Sequence, residues 1–344
     1  MTSRRGPFVS NRQKALVACA LVAAFAVTER VQTQQRPPSP PNPQASQAAD
    51  WGSNGDINTY HVQGNVHLLV GAGGNIAVQI GDDGVLVVDT GLAQHADKVL
   101  AAIRKLSDKP IRYIINTHFH SDHVGGNDVI GKAGITTQGN PTAVIAHENV
   151  LTRMSAPLGK PGATGPELWP SDTYVPEEKD IFFNHEPIMI YHDAAAHTDG
   201  DSIVLFRRSD VLVAGDIFSM TSYPLIDQAS GGGVQGVLNG LNRLLDLAVP
   251  EHEQEGGTYV IPGHGRVCDE ADVLEYRDMV TIIRDRIQDM VKRGLTLDQV
   301  KAAKPTLDYD LHYGVDTGPS TTAMFIEAIY RDLSKPPARP AARR

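Results

Sequence analysis

The sequence predicts an α/β protein in which two β-sheets pack face to face and helices cover both outer sides. Two observations support this fold class. Short runs rich in Val, Ile and Leu, typical of buried strands, fall into two groups along the chain. Segments with apolar residues at helical spacing stand between and after these groups.

The first group of predicted strands forms a meander of antiparallel hairpins. Glycine-containing turns at 71–74 and 81–84 separate its last three strands. An amphipathic helix is predicted at 94–106, and the apolar run Ile111–Ile115 after it reads as a buried strand. The four strands of the meander are 59–62, 67–70, 76–80 and 85–88.

The second group of strands alternates with longer helical patterns. Its predicted strands are 143–146, 181–183, 188–191, 203–206, 211–213 and 259–261. The predicted helices are 234–247, 270–293, 297–303 and 320–333.

Both ends of the chain differ in composition from this region. Residues 1–26 contain four basic residues, then an apolar run, then the small-x-small pattern Ala24-Phe25-Ala26, which together predict a cleaved signal peptide. Export by the general or the twin-arginine route stays open. We expect a disordered linker at 27–50, one folded domain at 51–334 and a disordered tail at 335–344. The apolar run of the predicted signal peptide is too short to span a bilayer. We therefore expect a periplasmic or secreted protein without an integral membrane span.

Charge and cysteine content exclude two classes of protein. The net charge is −9, and loss of the four basic residues in the signal peptide would make it −13. A protein this acidic repels polyanions, so nucleic acid is not expected as a partner. Cys19 lies in the signal peptide, which leaves Cys268 alone and excludes a disulfide-stabilised scaffold.

The residues that could bind a metal ion follow apolar runs of the sequence. Three histidines and one aspartate stand within six residues directly after the strand Ile111–Ile115, and three more candidates follow later predicted strands. Strand ends line one rim of a layered fold, so we expect these side chains to meet in one cleft. The seven candidates are His118, His120, Asp122, His123, His197, Asp216 and His264.

Imidazole and carboxylate groups in this number predict two zinc ions, because one tetrahedral ion cannot use seven ligands. Iron or manganese are alternatives for the same ligands. We assign His118, His120 and His197 to a first ion and Asp122, His123 and His264 to a second, with Asp216 bridging the two.

The motif Asn116-Thr117-His118-Phe119-His120-Ser121-Asp122-His123 resembles the signature loop of the metallo-β-lactamase superfamily. The stretches around Asp89, His197, Asp216 and His264 extend this resemblance over about residues 57–280. It implies a four-layer αββα sandwich of two mixed β-sheets flanked by helices, with the same ligand roles. It also implies that Asp89 stands behind the metals and orients a ligand histidine.

The ligand set is similar to the dinuclear pattern of glyoxalase II. Zinc β-lactamases of the commonest subclass have a cysteine where this chain has Asp216, and they lack the histidine corresponding to His123. The resemblance therefore implies a metal-dependent hydrolase whose substrate is not necessarily a β-lactam.

We expect a hydroxide bridging the two ions to cleave an ester, thioester, lactone or amide of a small molecule, with Asp122 as the catalytic proton shuttle. Three alternatives stay open: a true class B β-lactamase, an iron persulfide dioxygenase, and a non-hydrolytic periplasmic accessory protein of a quinoprotein system. The sequence does not assign substrate-binding residues or an oligomeric state. Candidates for the rim of the cleft are a lid at 155–172, a flap at 71–74, the loop 230–233 and Arg266 as a partner for a substrate carboxylate.

Overall fold

The computed structural model describes residues 54–254, 256–318 and 320–335. The predicted signal peptide, the linker and the tail from residue 336 onward lie outside these residues. A seven-stranded sheet contains, in chain order, β1 Asn58–Gln63, β2 Val66–Val70, β3 Ile76–Gly81, β4 Gly84–Val88, β5 Ile111–Ile115, β6 Ala143–His147 and β7 Asp172–Tyr174.

Neighbours in this first sheet follow the order of the chain. Strands β1 to β4 pair antiparallel, which confirms the predicted meander. Strands β4 to β7 pair parallel, so their carboxyl ends meet at one edge. Strand β7 was not predicted, because it is short and lies at the end of a segment that we expected to be irregular.

The second sheet has five strands in the order β12-β11-β10-β9-β8. Its pairs are antiparallel except for the parallel pair of β11 and β12. The strands are β8 Glu178–Phe183, β9 Glu186–Asp193, β10 Asp201–Phe206, β11 Val211–Val213 and β12 Tyr259–Ile261. All six strands predicted for the second group exist, although the first of them, β6, belongs to the other sheet.

The helices are α1 Ala96–Leu106, α2 Ser121–Val124, α3 Asn127–Ala133, α4 Glu148–Met154, α5 Val234–Leu247, α6 Glu270–Lys292, α7 Leu297–Ala302, α8 Asp310–Tyr313 and α9 Thr322–Ser334. The five predicted helices are confirmed, and their ends differ from the predicted ones by at most two residues. Helices α2, α3, α4 and α8, which have four to seven residues each, were not predicted. Within the described residues, no helix has both the length and the apolar character needed to cross a membrane.

Successive side chains of the central strands point to opposite faces of each sheet, so the core is divided into layers. In β4, Leu86 and Val88 face the second sheet and share one cluster with Val204 and Phe206 of β10. This cluster is the layer between the sheets, because successive side chains of a strand point to opposite faces.

The opposite faces of the two sheets pack against helices. Val85 and Val87 of β4 pack with Ile103 of α1, while Ile203 and Leu205 of β10 contact a cluster formed with α5, α6 and α9. The order of layers is therefore helix, sheet, sheet, helix, which confirms the predicted αββα sandwich.

We predict that Leu86→Ala destabilises the protein by about 2–5 kcal/mol, because the fully buried Leu86 side chain fills the layer between the sheets. Chemical denaturation followed by circular dichroism measures the change. Leu307→Ala is the control, since Leu307 is 61% exposed and its loss should cost less than about 0.5 kcal/mol. Equal losses in the two variants would contradict this account of the core.

Candidate metal centre

The structure brings all seven predicted ligand side chains together at one edge of the sandwich. His118 and His120 lie in the loop after β5, and the short helix α2 that follows carries Asp122 and His123. Loops after three strands of the second sheet supply His197, Asp216 and His264. A hydrogen bond from the Ser202 amide to the Thr117 carbonyl, 2.8 Å long, ties the two sheets together beside this cleft.

The seven side chains form two groups in which the potential ligand atoms lie within 4.8 Å of one another. His118, His120, His197 and Asp216 form the first cluster, and Asp122, His123 and His264 form the second cluster. This division matches the assignment made from the sequence, although the roles as ligands remain a proposal.

Asp216 lies between the two clusters. Its Oδ1 atom is 3.1 Å from His123 Nε2 and 3.5 Å from His264 Nε2, both in the second cluster. Its Oδ2 atom is 3.7 Å from His197 Nε2 in the first cluster. One carboxylate therefore turns an oxygen toward each group of histidines, as a bridging ligand must.

Asp89 fixes two histidines from behind. It accepts a hydrogen bond from His123 Nδ1 at 2.8 Å, so His123 presents Nε2 to the cleft. It also accepts from the Thr117 hydroxyl at 2.7 Å, and that hydroxyl oxygen lies 3.1 Å from His118 Nδ1. Because the single hydroxyl proton goes to Asp89, Thr117 accepts from His118 Nδ1, which leaves His118 Nε2 facing inward.

The remaining two histidines of the first cluster are held by the segment 225–227. His197 Nδ1 lies 2.6 Å from the Leu225 carbonyl oxygen, to which only a protonated Nδ1 can donate. His120 Nε2 lies 3.3 Å from Asp227 Oδ2. These contacts direct His197 Nε2 and His120 Nδ1 toward each other at 2.8 Å.

Three inward-facing atoms make no well-formed hydrogen bond within the described residues, although His123 Nε2 and Asp216 Oδ1 lie 3.1 Å apart. Among the described residues, none gives a hydrogen bond to His118 Nε2, His123 Nε2 or Asp216 Oδ1, and all three atoms are buried. Leaving buried polar atoms without a partner costs about 1–3 kcal/mol each. A metal ion satisfies imidazole nitrogen and carboxylate oxygen at once, so the residues present fit the two ions that the sequence predicts.

Charge in the cleft also favours cations. Burial alone would raise the pKa of Asp122, but His123 and His264 lower it to about 2. Burial lowers the pKa of His264, whereas Asp216 and Asp122 outweigh that effect and raise it to about 9. In the metal-free protein, protons on the histidines balance the two carboxylates, and binding of a divalent cation must release them.

The pKa values of His118 and His123 are shifted in opposite directions. Burial and the neighbouring His123 hold the pKa of His118 well below its usual range. Burial acts in the same direction on His123, but Asp216, Asp122 and Asp89 together raise its pKa well above the usual value. A neutral His118 is in the form that binds a metal without losing a proton.

A cavity of about 460 Å³ opens above both clusters. Its floor includes His120, Asp122, Asp216 and His264. Its walls carry mostly hydroxyl groups together with two apolar side chains, from Ser121, Ser219, Thr221, Ser222, Leu225, Val315, Thr317 and Ser320. A cavity of this size accommodates a small organic substrate directly over the candidate metals.

Two predictions for the rim of the cleft are wrong. Arg266 is not available for a substrate carboxylate, because its guanidinium binds Asp272 through two hydrogen bonds of 2.8 and 2.7 Å. The stretch 71–74 is not a flap: it is buried beneath α2, and a Cβ atom at Gly74 would collide with the His123 ring. Glycine is required there because the backbone passes so close to the His123 ring.

The other two rim segments lie elsewhere than expected. The segment 155–172 does not line the cavity; Gly162 packs on Phe119, and Trp169 packs in a small cluster around α4. In the loop 230–233, Gly232 contacts the His197 backbone, so the loop supports the first cluster rather than the second ion.

Sequence reasoning missed Asp227 and most of the cavity wall. Asp227 follows no buried strand and belongs to no recognisable motif, so only the fold shows that it contacts His120. The wall residues Val315, Thr317 and Ser320 lie before α9, far along the chain from the histidine motif. Their serines and threonines carry no signal that distinguishes them from an ordinary loop.

Comparison with known proteins agrees with the fold. The family model described as the metallo-beta-lactamase superfamily matches residues 69–268. A linear primary-alkylsulfatase of Pseudomonas sp. is 26% identical over 259 residues, which are 63% of this chain and 47% of that protein. The chain thus spans about half the length of this relative.

Two solved structures share the fold at low sequence identity. A stereoselective inverting sec-alkylsulfatase from Pseudomonas sp. superimposes with a TM-score of 0.60 at 17% identity, covering 80% of this chain and 50% of that one. A metallo-beta-lactamase from Pontibacter korlensis gives a TM-score of 0.52 at 15% identity, covering 66% of this chain and 99% of that one.

We predict that Asp216→Ala weakens binding of both metal ions, because its two oxygens face different clusters. His264→Ala should weaken only the second ion, since His264 belongs to the second cluster alone. Zinc titration of the chelator-stripped variants, with metal quantification after gel filtration, gives the stoichiometry. Retention of two tightly bound ions in Asp216→Ala would contradict the bridging arrangement.

Proposed function

The chain belongs to the metallo-β-lactamase superfamily, and from this we propose that it is a metal-dependent hydrolase that cleaves an ester bond with two zinc ions. The observation that carries the proposal is the position of Asp216 between two histidine clusters at the floor of the cavity. Two ions bound there would supply a water of lowered pKa as nucleophile and polarise the bond to be cleaved.

The protein's own residues would hold the two metal ions and transfer the proton. His118, His120 and His197 would hold the first ion, and His123 and His264 would hold the second together with Asp122. Asp122 is 30% exposed at the cavity floor, and its carboxylate is ionised at neutral pH. It is therefore placed to accept a proton from the attacking water and to pass it to the leaving group.

The relative found by sequence supports an ester rather than an amide as substrate. The alkylsulfatase that matches this chain is named for a sulfate ester, and a sulfate or carboxylate ester of a small molecule is the substrate class we propose. Leu225 and Val315 in the cavity wall suit an apolar portion of such a substrate. The predicted signal peptide supports a substrate outside the cytoplasm, which disfavours cytosolic thioesters.

A substrate panel tests the proposal on the purified protein. It contains p-nitrophenyl acetate, an alkyl sulfate, a homoserine lactone, an acyl glutathione and nitrocefin. We expect hydrolysis of at least one of the two esters, loss of activity on treatment with a zinc chelator, and its return with added zinc. Hydrolysis of nitrocefin alone would replace the proposal with a β-lactamase, and activity that resists chelation would exclude a metal mechanism.

We predict that His120→Ala reduces turnover of the best substrate to the rate without enzyme, because the variant lacks a ligand of the first ion. Steady-state kinetics gives the turnover, and circular dichroism shows whether the variant is folded. His252→Ala is the matched control, since His252 is 80% exposed and lies outside the cavity. Wild-type turnover in folded His120→Ala would remove the proposed site.

A further inference from the structure

We infer that Asp227 is a positioning residue: its carboxylate fixes the tautomer of His120 so that His120 Nδ1 is free to bind the first ion. The inference rests on the metal centre of the proposed function and concerns a residue that lies in no ligand motif. Asp227 is 107 positions from His120 in the chain, and the fold alone brings them together.

The contact has a defined polarity. Asp227 Oδ2 lies 3.3 Å from His120 Nε2, and both side chains are about three-quarters buried, with 21% and 24% of their surfaces exposed. A carboxylate can only accept a hydrogen bond, so Nε2 must carry the proton. In the neutral ring this leaves the lone pair on Nδ1, which points into the first cluster.

The other carboxylate oxygen and the backbone amide of Asp227 make hydrogen bonds to segments beside the first cluster. Asp227 Oδ1 accepts from the Ser230 amide at 3.1 Å, which caps the short turn 228–230. The Asp227 amide donates to the His197 carbonyl at 2.9 Å. Asp227 thus touches one ligand of the first cluster through its side chain and another through its backbone.

The neighbouring histidine shows why the tautomer matters. His197 Nδ1 donates to the Leu225 carbonyl, so His197 Nε2 also presents a lone pair. Two such nitrogens lie 2.8 Å apart. Two lone pairs that face each other at that distance repel unless a proton or a metal ion lies between them, so the two outer hydrogen bonds together prepare the site for a metal.

Asp89 plays the equivalent part for His123 in the second cluster, where its carboxylate accepts from Nδ1 at 2.8 Å. The two clusters therefore each have a carboxylate behind one histidine. Asp227 differs in that it selects Nδ1 rather than Nε2 as the free nitrogen.

The competing explanation is that Asp227 only caps the turn 228–230. Asp227→Asn separates the two roles. The asparagine carbonyl oxygen can still accept from the Ser230 amide, which turns the amide NH₂ group toward His120 Nε2. Since NH₂ is a donor, His120 Nε2 must then accept, and the proton moves to Nδ1, where it blocks metal binding.

The test is zinc affinity of the chelator-stripped full-length protein, measured by competition with a chromophoric chelator in the absence of substrate. We expect Asp227→Asn to weaken binding of one zinc ion by about 10–100-fold and to leave the other ion unchanged. The thermal unfolding midpoint of the metal-free variant should equal that of wild type, because the cap is kept. Asp227→Ala loses the cap and the histidine contact together, so it should lower both the zinc affinity and the thermal unfolding midpoint.

A second measurement detects the tautomer without any metal. At a pH at which the His120 ring is neutral, its ¹⁵N chemical shifts should identify Nδ1 as unprotonated in wild type and as protonated in Asp227→Asn. Asp199→Asn is the matched control, because Asp199 is a nearby carboxylate that binds Arg153 and contacts no candidate ligand. We expect it to keep both the tautomer and the zinc affinities of wild type.

Two results would overturn the inference: wild-type zinc affinities in Asp227→Asn, or an unchanged His120 tautomer. Either can occur while the enzyme still hydrolyses esters, which leaves the proposed function intact. Conversely, a wild-type protein that binds two zinc ions but hydrolyses nothing in the panel would defeat the proposed function and leave the role of Asp227 standing.

Discussion

The carboxylate of Asp216 is the group around which the cleft is organised. One of its oxygens faces His123 and His264, and the other faces His197. Placing it there requires the end of β11 to meet the ends of β5 and β12, which the two packed sheets achieve. A buried carboxylate surrounded by imidazoles is costly unless cations or protons balance it, so the fold builds a site with a strong demand for positive charge.

A layer of fixed acceptors surrounds the histidines and decides which ring nitrogen faces the cleft. Asp89, the Leu225 carbonyl and Asp227 each accept a hydrogen bond from one ring N–H group, and the Thr117 hydroxyl links Asp89 to His118. Asp89 itself adopts a positive φ of 62°, a conformation uncommon for a residue other than glycine. Backbone strain at such a position persists only where surrounding contacts enforce it, and here those contacts support the candidate metal centre.

Much of this arrangement could be predicted from the sequence, for physical reasons that apply to particular elements. The runs Val85–Val88 in β4 and Ile203–Phe206 in β10 are continuous and apolar because both faces of these strands are buried, which made them easy to recognise. The dense cluster of three histidines and one aspartate from His118 to His123 was a strong signal for a metal site. Asp216 and His264 were found because each follows a short buried strand.

The rest depended on tertiary contacts that leave no local signal. The short helices α3 and α4 have too few turns to show periodicity. The stretch 71–74 has the glycine content of a mobile loop, yet it is buried, and glycine at position 74 lets the backbone pass close to the His123 ring. Arg266 looked available because its partner Asp272 lies on α6, at a distance that the sequence alone does not define.

The central claim is that two metal ions share Asp216, and anomalous diffraction at the zinc edge tests it most directly. Crystals of the zinc-loaded protein should show two anomalous peaks, each beside one of the two clusters, with an Asp216 oxygen at coordination distance from each. A single peak, or two peaks that leave Asp216 without contact to either, would contradict the account.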